Sequence, residues 1–279
     1  MIFEGEYING KRHGKGKEYS DYNEKLQFEG KYIKGKRNGK GKEYDKYNNR
    51  LIYEGEYLDG ERHGKGKEFF NDGQLKFKGE YLNGKKWNGK GYNYKGHLEF
   101  KLKNGCGKVK EYYYDGRLKF EGKFLDGKKH GKIKEFDQIG DLTFEGEYLD
   151  GKRHGKGKEY GLYEMVTFEG EYLDGERHGK GKEYVLINAN FSRLIFEGEY
   201  LNGKKWNGKG YDFEGHSEFE LINGAGKVKE YYNFCKLKFE GEYLEGKRHG
   251  EWKEYSDYYD GYLEFKGEYL NGERHGKGK

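Results

Sequence analysis

The chain is built from one short segment that recurs along its whole length. The segment FEGEYINGKRHGKGKEY at residues 3–19 returns every 20 to 28 residues, and no stretch between copies is long enough for a separate domain. Repetition at such a period is typical of arrays in which each unit packs on its neighbours. We therefore expect a single array over residues 1–279. Its twelve repeats begin near the aromatic residues Phe3, Phe28, Tyr53, Phe77, Phe100, Phe120, Phe144, Phe168, Phe196, Phe219, Phe239 and Phe265.

A second level of repetition joins several copies. The run GEYLNGKKWNGKGY at 79–92 occurs again at 198–211, and each time a short repeat ending in GKVKEYY follows. This pattern indicates that five repeats were duplicated together. Growth by copying suits an extended scaffold and gives no reason to expect an active site.

Each repeat carries the signal of a β-hairpin. Between its two arms stands Asn-Gly or Asp-Gly in ten of the twelve repeats, as at Asn9-Gly10, and the exceptions are Lys34-Gly35 and Glu245-Gly246. Asn-Gly is the strongest short hairpin signal, because both central residues of a type I′ turn need positive φ. Further turns are expected between hairpins, at residues 71–73 and 114–116. The sequence thus predicts an all-β fold, an elongated meander of antiparallel hairpins that forms a twisted ribbon and gains roughly 10 Å per repeat.

A two-residue turn sets the register within each repeat. In the first repeat it predicts the cross-strand pairs Ile8–Lys11, Tyr7–Arg12, Glu6–His13, Gly5–Gly14, Glu4–Lys15 and Phe3–Gly16. One face then carries aromatic rings over glycine backbone, including Gly14 and Gly16, and the other carries opposite charges that meet across the strands. In the shortened repeat the same count predicts the pairs Phe100–Val109 and Leu102–Gly107. It also buries the residues that fill the second glycine slot, which are Val109, Ile133, Val228 and Trp252.

Simple alternation also places a charged residue on the aromatic face. The glutamate of each KEY segment falls there, as for Glu18, Glu43 and Glu159. A bulge after the glycines would instead move the glutamate out and bring Tyr19 in. The sequence leaves both arrangements open.

The composition indicates what such a sheet would bury. Only 32% of the residues are hydrophobic, 38% are charged and the mean hydropathy is -1.29, values that are typical of disordered chains. Aromatic residues nevertheless reach 18%, so the buried side chains should be mostly rings. The 49 glycines and the absence of proline suit tight turns between strands whose N–H groups all take part in pairing.

These residues carry a resemblance to a known repeat family. The segment YEGEYLDGERHGKGKEF at 53–69 resembles the MORN repeat, roughly YxGxWxxGxxHGxG, with Tyr57 in the place of its Trp. The segment at 237–255 is similar to a bacterial variant with Trp252 in HGxW. The resemblance implies an elongated β-ribbon that serves as a scaffold, binds proteins or phosphoinositides, and dimerises through terminal repeats. Appended catalytic domains, which some MORN proteins have, find no counterpart in this sequence.

Histidines and carboxylates are the candidates for chemistry, and their pattern argues against catalysis. Equivalent histidines in successive hairpins should lie roughly 10 Å apart, whereas ligands of one zinc ion each lie about 2 Å from it. Glu4, Glu29 and Glu145 each face a lysine in the predicted register, which disfavours a neutral catalytic acid, and no phosphate-loop, GxSxG or kinase motif is present. We expect no enzyme activity, metal or cofactor. We predict that glutamates are the partners of His13, His63, His130, His154, His178, His249 and His275.

Recurring tyrosines and lysines form the predicted interaction surface. The net charge is only +5, but the lysines of the GKGK segments recur in most repeats and would form rows. We expect a non-catalytic scaffold that binds a protein partner. The alternatives are a peripheral module for anionic lipid or phosphoinositide head groups and a purely solvating role for the lysines; nucleic acid is not favoured. The residues are Tyr7, Tyr32, Tyr57, Tyr81, Tyr148, Tyr172, Tyr200, Tyr243, Lys15, Lys40, Lys65, Lys156 and Lys180.

The expected location is the cytoplasm, at a membrane or cytoskeletal surface. No apolar run reaches the length of a membrane span, the N-terminus lacks the order of a signal peptide, and Cys106 and Cys235 suggest neither a disulfide framework nor a zinc site. The last repeat stops at Lys279, before its KEY segment, so its second strand would be an open edge that can pair with a second copy. Arg274, Lys277 and Lys279 oppose such a homodimer by like charge, and truncation of the chain at this point is the alternative explanation of the open edge. The oligomeric state stays open.

Overall fold

The computed structural model describes residues 2–257 and 261–279. Strands make up 71% of the structure and helix 2%, so the predicted all-β class is confirmed. Each repeat contributes two strands, and two short 3₁₀ turns, Leu162–Glu164 and Asn233–Cys235, lie between hairpins. The chain divides into two compact units, residues 1–140 and 141–279.

The first unit contains twelve antiparallel strands in chain order. They are β1 (Ile2–Ile8), β2 (Lys11–Tyr19), β3 (Leu26–Ile33), β4 (Lys36–Tyr44), β5 (Leu51–Leu58), β6 (Glu61–Phe69), β7 (Leu75–Leu82), β8 (Lys85–Tyr92), β9 (Leu98–Leu102), β10 (Gly107–Tyr112), β11 (Leu118–Leu125) and β12 (Lys128–Phe136). β1 to β9 form one sheet in which each strand pairs with the next. β10, β11 and β12 pair in the same consecutive way.

The second unit repeats this arrangement with a further twelve strands. They are β13 (Leu142–Leu149), β14 (Lys152–Tyr160), β15 (Val166–Leu173), β16 (Glu176–Asn188), β17 (Phe191–Leu201), β18 (Lys204–Tyr211), β19 (Ser217–Leu221), β20 (Gly226–Tyr231), β21 (Leu237–Leu244), β22 (Lys247–Tyr255), β23 (Leu263–Leu270) and β24 (Glu273–His275). β13 to β19 pair consecutively, and β20 to β24 form a five-stranded sheet.

The hairpin turns have the geometry that the sequence predicts. Within the first turn φ is 49° at Asn9 and 72° at Gly10, as a type I′ turn requires. Lys34 and Glu245, at the two turns without Asn or Asp, also have positive φ, at 50° and 52°. The three pairs nearest to the first turn form as predicted, and they are Ile8–Lys11, Tyr7–Arg12 and Glu6–His13.

A bulge at Gly14 and Lys15 makes the rest of the predicted register wrong. The ladder between β1 and β2 resumes two positions later, with the pairs Gly5–Gly16, Glu4–Lys17 and Phe3–Glu18. φ is 65° at Gly14, a left-handed conformation that glycine adopts at little cost and that is typical of a bulge. A Cβ on Gly14 would lie 2.2 Å from the carboxylate of Glu6, so this glycine is not under the rings. A shift of two preserves the alternation of faces, so the other side chains keep their predicted face.

The shortened repeat keeps its predicted register next to the turn but does not extend it into a ladder. β9 pairs with β8, and β10 pairs with β11. The bridge described between β9 and β10 is Lys103–Cys106, around a turn whose Gly105 donates an N–H to the carbonyl of Trp87 at 2.7 Å and accepts one from Gly127 at 2.9 Å. Neighbouring turns therefore hold this turn on both sides. The predicted pairs Phe100–Val109 and Leu102–Gly107 would continue the register of this bridge, but β9 and β10 belong to separate sheets.

Aromatic rings packed over glycine form the core. Phe28 has no exposed surface, and a Cβ on Gly41 would lie 2.5 Å from its ring. Tyr32 meets Phe28 edge-on at 5.7 Å, and Tyr57 of the next repeat does so at 5.2 Å, a geometry that aromatic pairs prefer. The predicted burial at the second glycine slot is confirmed, with exposed fractions between 1% and 3% at Val109, Ile133, Val228 and Trp252.

The glutamates of the KEY segments lie on this aromatic face. Glu18 is 4% exposed, and its carboxylate accepts hydrogen bonds from Arg12 at 2.7 Å and from Arg37 of the next repeat at 2.5 Å. A bulge does follow Glu18, but it turns Tyr19 outward, where the tyrosine hydroxyl donates to Glu4 at 2.9 Å. The alternative with the glutamate outside and the tyrosine inside is therefore wrong.

The same ionic contacts join further repeats. Arg62 bonds to Glu68 at 2.7 Å and also to Glu43 of the preceding repeat, while its guanidinium lies 4.0 Å from the ring centroid of Tyr53. Burial would raise the pKa of Glu43, but the bonds and charge of Arg62, with the Tyr57 hydroxyl, outweigh burial and lower it. Glu18 is thus bonded by arginines from two successive hairpins, and Glu68 by Arg62 and Lys86 in the same way.

Backbone hydrogen bonds between turns add to these contacts. The N–H of Gly35 donates to the carbonyl of Arg12 at 2.8 Å, and the N–H of Gly60 donates to that of Arg37 at 2.9 Å. These two turns are thereby fixed to the preceding hairpin next to the arginines that bond the buried glutamates.

Candidate interaction groove

The face opposite to the rings carries a groove of about 1490 Å³ in the first unit. The groove runs across β1 to β8, and glycine backbone forms its floor because the aromatic rings cover those glycines from the other side. Five glutamates contribute to its walls, and they are Glu4, Glu29, Glu54, Glu56 and Glu80. Nine lysines do so too: Lys15, Lys17, Lys31, Lys40, Lys42, Lys65, Lys67, Lys78 and Lys90. The groove is therefore net positive.

Glutamates and lysines alternate along one row of this face. From β1 to β6 the residues that stand directly opposite one another are Glu4, Lys17, Glu29, Lys42, Glu54 and Lys67. Nζ of Lys67 lies 2.9 Å from the carboxylate of Glu54. The predicted glutamate–lysine pairing is thus correct in kind, but the bulge places each lysine two positions farther along than predicted.

Tyrosine hydroxyls also bond to some of these carboxylates. Tyr44 donates to Glu29 at 2.7 Å, and burial together with this bond raises the pKa of Tyr44, so the hydroxyl stays protonated. In the second unit the bond from Lys253 lowers the pKa of Glu240. Carboxylates held in the ionised form are poor general acids.

The alternation stops abruptly at β6. The next three residues of the row are all lysines, so Lys67 faces Lys78, Lys78 faces Lys90, and Lys90 faces Lys101 of β9. Lys78, Lys90 and Lys101 are exposed. We call Lys67, Lys78, Lys90 and Lys101 the lysine row. Like charges directly opposite each other destabilise a sheet, so the fold gains nothing from this arrangement.

The duplicated repeats of the second unit keep the alternation. There Lys182 faces Glu197, Glu197 faces Lys209, and Lys209 faces Glu220. Nζ of Lys182 lies 3.2 Å from the carboxylate of Glu197. The two copies therefore share a backbone register and differ in the charge of two positions in the row.

The residues of the predicted interaction surface lie on two opposite faces. Lys15, Lys40 and Lys65 line the groove, and Lys156 and Lys180 take the equivalent positions on β14 and β16. Among the tyrosines Tyr7 is 55% exposed and Tyr243 is half-buried. The tyrosines that are buried in the core are Tyr32, Tyr57, Tyr81, Tyr148, Tyr172 and Tyr200. The structure thus brings only the lysines to the groove.

The histidines do not form a site. His13 stands opposite Glu6 in the ladder, but the carboxylate of Glu6 accepts the N–H of Lys15 at 3.2 Å. Glu242 faces His249 and Glu268 faces His275 in the ladder, as predicted, whereas His130 faces Lys123. The Nδ1 atom is buried without a hydrogen-bond partner in His63, His130, His154, His178 and His249. In residues 2–257 and 261–279 no group of His, Cys, Asp and Glu is arranged to hold a metal ion, and no helix there is long and apolar enough to cross a membrane.

Consecutive hairpins with a buried aromatic face and a polar groove define a β-hairpin repeat protein. The family model of the MORN repeat matches eight segments, which together cover half of the chain: 3–24, 28–46, 53–75, 120–132, 144–161, 168–184, 239–251 and 265–279. This chain belongs to the MORN-repeat family. MORN repeats are non-enzymatic and generally bind proteins or membranes. The repeats near 77, 100, 196 and 219 lie outside the matched segments, although each forms strands.

Comparison with known proteins adds little beyond the family. No curated protein matches the chain. One matching solved structure is titled "Crystal Structure of TcdB2-TccC3-Cdc42", with 11% identity over 91% of this chain and 14% of that chain. Its TM-score is 0.19, and a likeness at this level carries no argument about fold or function.

Proposed function

We propose that this chain is a non-catalytic scaffold that binds a protein partner along the groove. The observation that supports this is one continuous concave surface across eight strands, lined by glycine backbone and lysines. Two of the carboxylates along it are already bonded, Glu29 to a tyrosine and Glu54 to a lysine. A surface of this kind can hold an elongated partner, and it carries no group poised for chemistry.

The test is comparative capture with the full chain. A groove variant combines Lys15→Glu, Lys40→Glu and Lys65→Glu, and a control variant combines Lys11→Glu, Lys36→Glu and Lys85→Glu. The control makes the same change of charge at exposed hairpin ends outside the groove. Other repeats already hold glutamate at that position, as Glu61 does, so the control should fold.

We expect a set of proteins that the unaltered chain and the control variant retain equally from a lysate of the source cells, and that the groove variant loses. Quantitative mass spectrometry of the retained fractions measures this difference. Equal retention by all three chains, or no retention above a tag alone, refutes the groove as the binding surface.

Binding of anionic lipid is the second candidate, and the excess of lysine over glutamate in the groove favours it. Juxtaposed lysines attract anionic membranes at about 1 kcal/mol each. A flat bilayer, however, contacts the rims of a concave surface better than its floor. Co-sedimentation with phosphatidylcholine vesicles, with and without phosphatidylinositol bisphosphate, separates the two: pelleting that requires the phosphoinositide and is lost in the groove variant supports the lipid module.

A further inference from the structure

We propose that the lysine row, Lys67, Lys78, Lys90 and Lys101, recognises an extended acidic segment of the protein partner. This inference rests on the proposed scaffold function and specifies the chemistry of the partner. It is carried by the difference between the two duplicated copies, which act as an internal comparison within one chain.

The comparison shows that the lysine row is not needed for folding. Glu197 and Glu220 occupy the positions of Lys78 and Lys101 in the second copy, in the same register. Glutamate at these positions gives favourable cross-strand pairs, whereas lysine gives three successive like-charged pairs. Local choices that oppose stability without a structural reason are expected at functional sites.

One contact beside the row is the same in both copies. Glu80 accepts a 2.9 Å hydrogen bond from Asn88, and Glu199 accepts one of 2.9 Å from Asn207. Two positions after Lys101 in the chain, the first copy has Lys103 where the second copy has Ile222. The difference is therefore a concentration of positive charge in the first unit.

The shape of the row favours an extended carboxylate-bearing segment. Four residues on neighbouring strands stand about 4.8 Å apart and span roughly 14 Å, which about five extended residues would cover. The row contains lysines only, and these are spread in a line. A single phosphate is better held by donors that converge, such as the guanidinium fork of arginine. Separate ammonium groups in a line suit separate carboxylates along a chain.

Charge exchange between the copies tests the proposal. The loss variant combines Lys78→Glu and Lys101→Glu, which are the residues of the second copy, and the gain variant combines Glu197→Lys and Glu220→Lys. A control with Lys11→Glu and Lys85→Glu has the same net charge as the loss variant. The probe is a fluorescent oligoglutamate peptide of about six residues, long enough to span the row, and anisotropy measures its binding to the full chain.

We expect the loss variant to bind the peptide about tenfold more weakly, since two attractive contacts become repulsive, and the control to bind like the unaltered chain. The gain variant should bind a second equivalent of peptide. Salt should weaken all of this binding. The proposal is overturned if the loss variant binds the peptide as tightly as the control does. It is also overturned if the chain binds polyuridine or phosphoinositide vesicles but not oligoglutamate.

The outcome is separable from that of the scaffold function. If the groove variant loses its captured proteins while the loss variant keeps them and its peptide affinity, the scaffold function stands and the lysine row is refuted as its recognition element. If neither variant differs from the unaltered chain, both proposals fail.

Discussion

Arg62 of the third hairpin donates a hydrogen bond to Glu43 of the second, and this contact crosses the boundary between two repeats. The same guanidinium bonds to Glu68 of its own hairpin at 2.7 Å. Tyr57 donates its hydroxyl to Glu43 at 2.7 Å. Neighbouring repeats are therefore joined by charged groups in a largely buried layer, as well as by aromatic packing.

Removal of Arg62 should destabilise the array locally. Arg62→Ala leaves Glu43 and Glu68 without this cation, and we expect a loss of about 2 kcal/mol, below the usual figure for fully buried pairs because the side chain is 18% exposed. Hydrogen exchange of β4 to β6 measures it, since repeat arrays can open in part. The control is Lys67→Ala, which breaks an exposed pair with Glu54 and should cost less than about 1 kcal/mol. Equal protection in both variants would contradict a role of the buried contacts.

Acid should weaken the fold through the same carboxylates. The pKa values of Glu43 and Glu159 are lowered from 4.5 because arginine bonds outweigh the opposing effect of burial. A lowered folded pKa contributes stability above the unfolded pKa and loses it as pH falls through the folded value. Urea midpoints should therefore fall progressively once the pH drops below about 4.5. The loss should be smaller in a Glu43→Gln variant, and an unchanged pH profile in that variant would argue against this origin.

A methyl group under a ring should be harmful although glycine there has an ordinary φ. The Cβ of Gly41→Ala would lie 2.5 Å from the ring of Phe28, and we expect overpacking to cost about 1–3 kcal/mol. Lys40→Ala, on the adjacent exposed residue, should change stability by less than about 0.5 kcal/mol. Thermal melts of the two variants provide the comparison. Similar melting temperatures would show that the ring can move aside.

Restoring the alternation of charge should stabilise the first unit. Lys78→Glu replaces two like-charged cross-strand neighbours by opposite ones, and we expect a gain of roughly 0.5 kcal/mol that shrinks as salt is added. Glu197→Lys should produce the converse loss in the second unit. Urea denaturation at low and high salt measures both. A destabilised Lys78→Glu variant would mean that the lysine row has a structural role.

The sequence predicts the hairpins and their faces well, because both depend on local features. Positive φ at Asn9 and Gly10 follows from the turn chemistry, and the burial of Trp252 follows from alternation counted back from a turn. The sequence does not predict the bulge at Gly14, because it cannot distinguish two kinds of glycine. Gly14 has positive φ, whereas Gly16 is a ladder residue under the ring of Phe3. Only the ladder distinguishes them.

The contacts between repeats were harder to predict than those within a repeat. Arginine stands six positions before most of the KEY glutamates, as Arg12 does before Glu18, and this recurrence is a visible signal of pairing within a strand. Its second partner, Arg37, required the stacking of hairpins. The lysine row is also visible in the sequence, as FKG at 77–79 against FEG at 196–198. That these lysines face one another becomes evident only from the pairing of four successive strands.

The bond from Arg62 to Glu43 also sets the unit in which such a chain can gain or lose length. Consider a deletion of one whole repeat, from Tyr53 through Lys76. Lys86 would then take the place of Arg62 and pair with Glu43, as it already pairs with Glu68 at 2.9 Å. A deletion of half that length would strand a buried carboxylate. The number of repeats can therefore change only by whole hairpins, and blocks of hairpins can be copied intact.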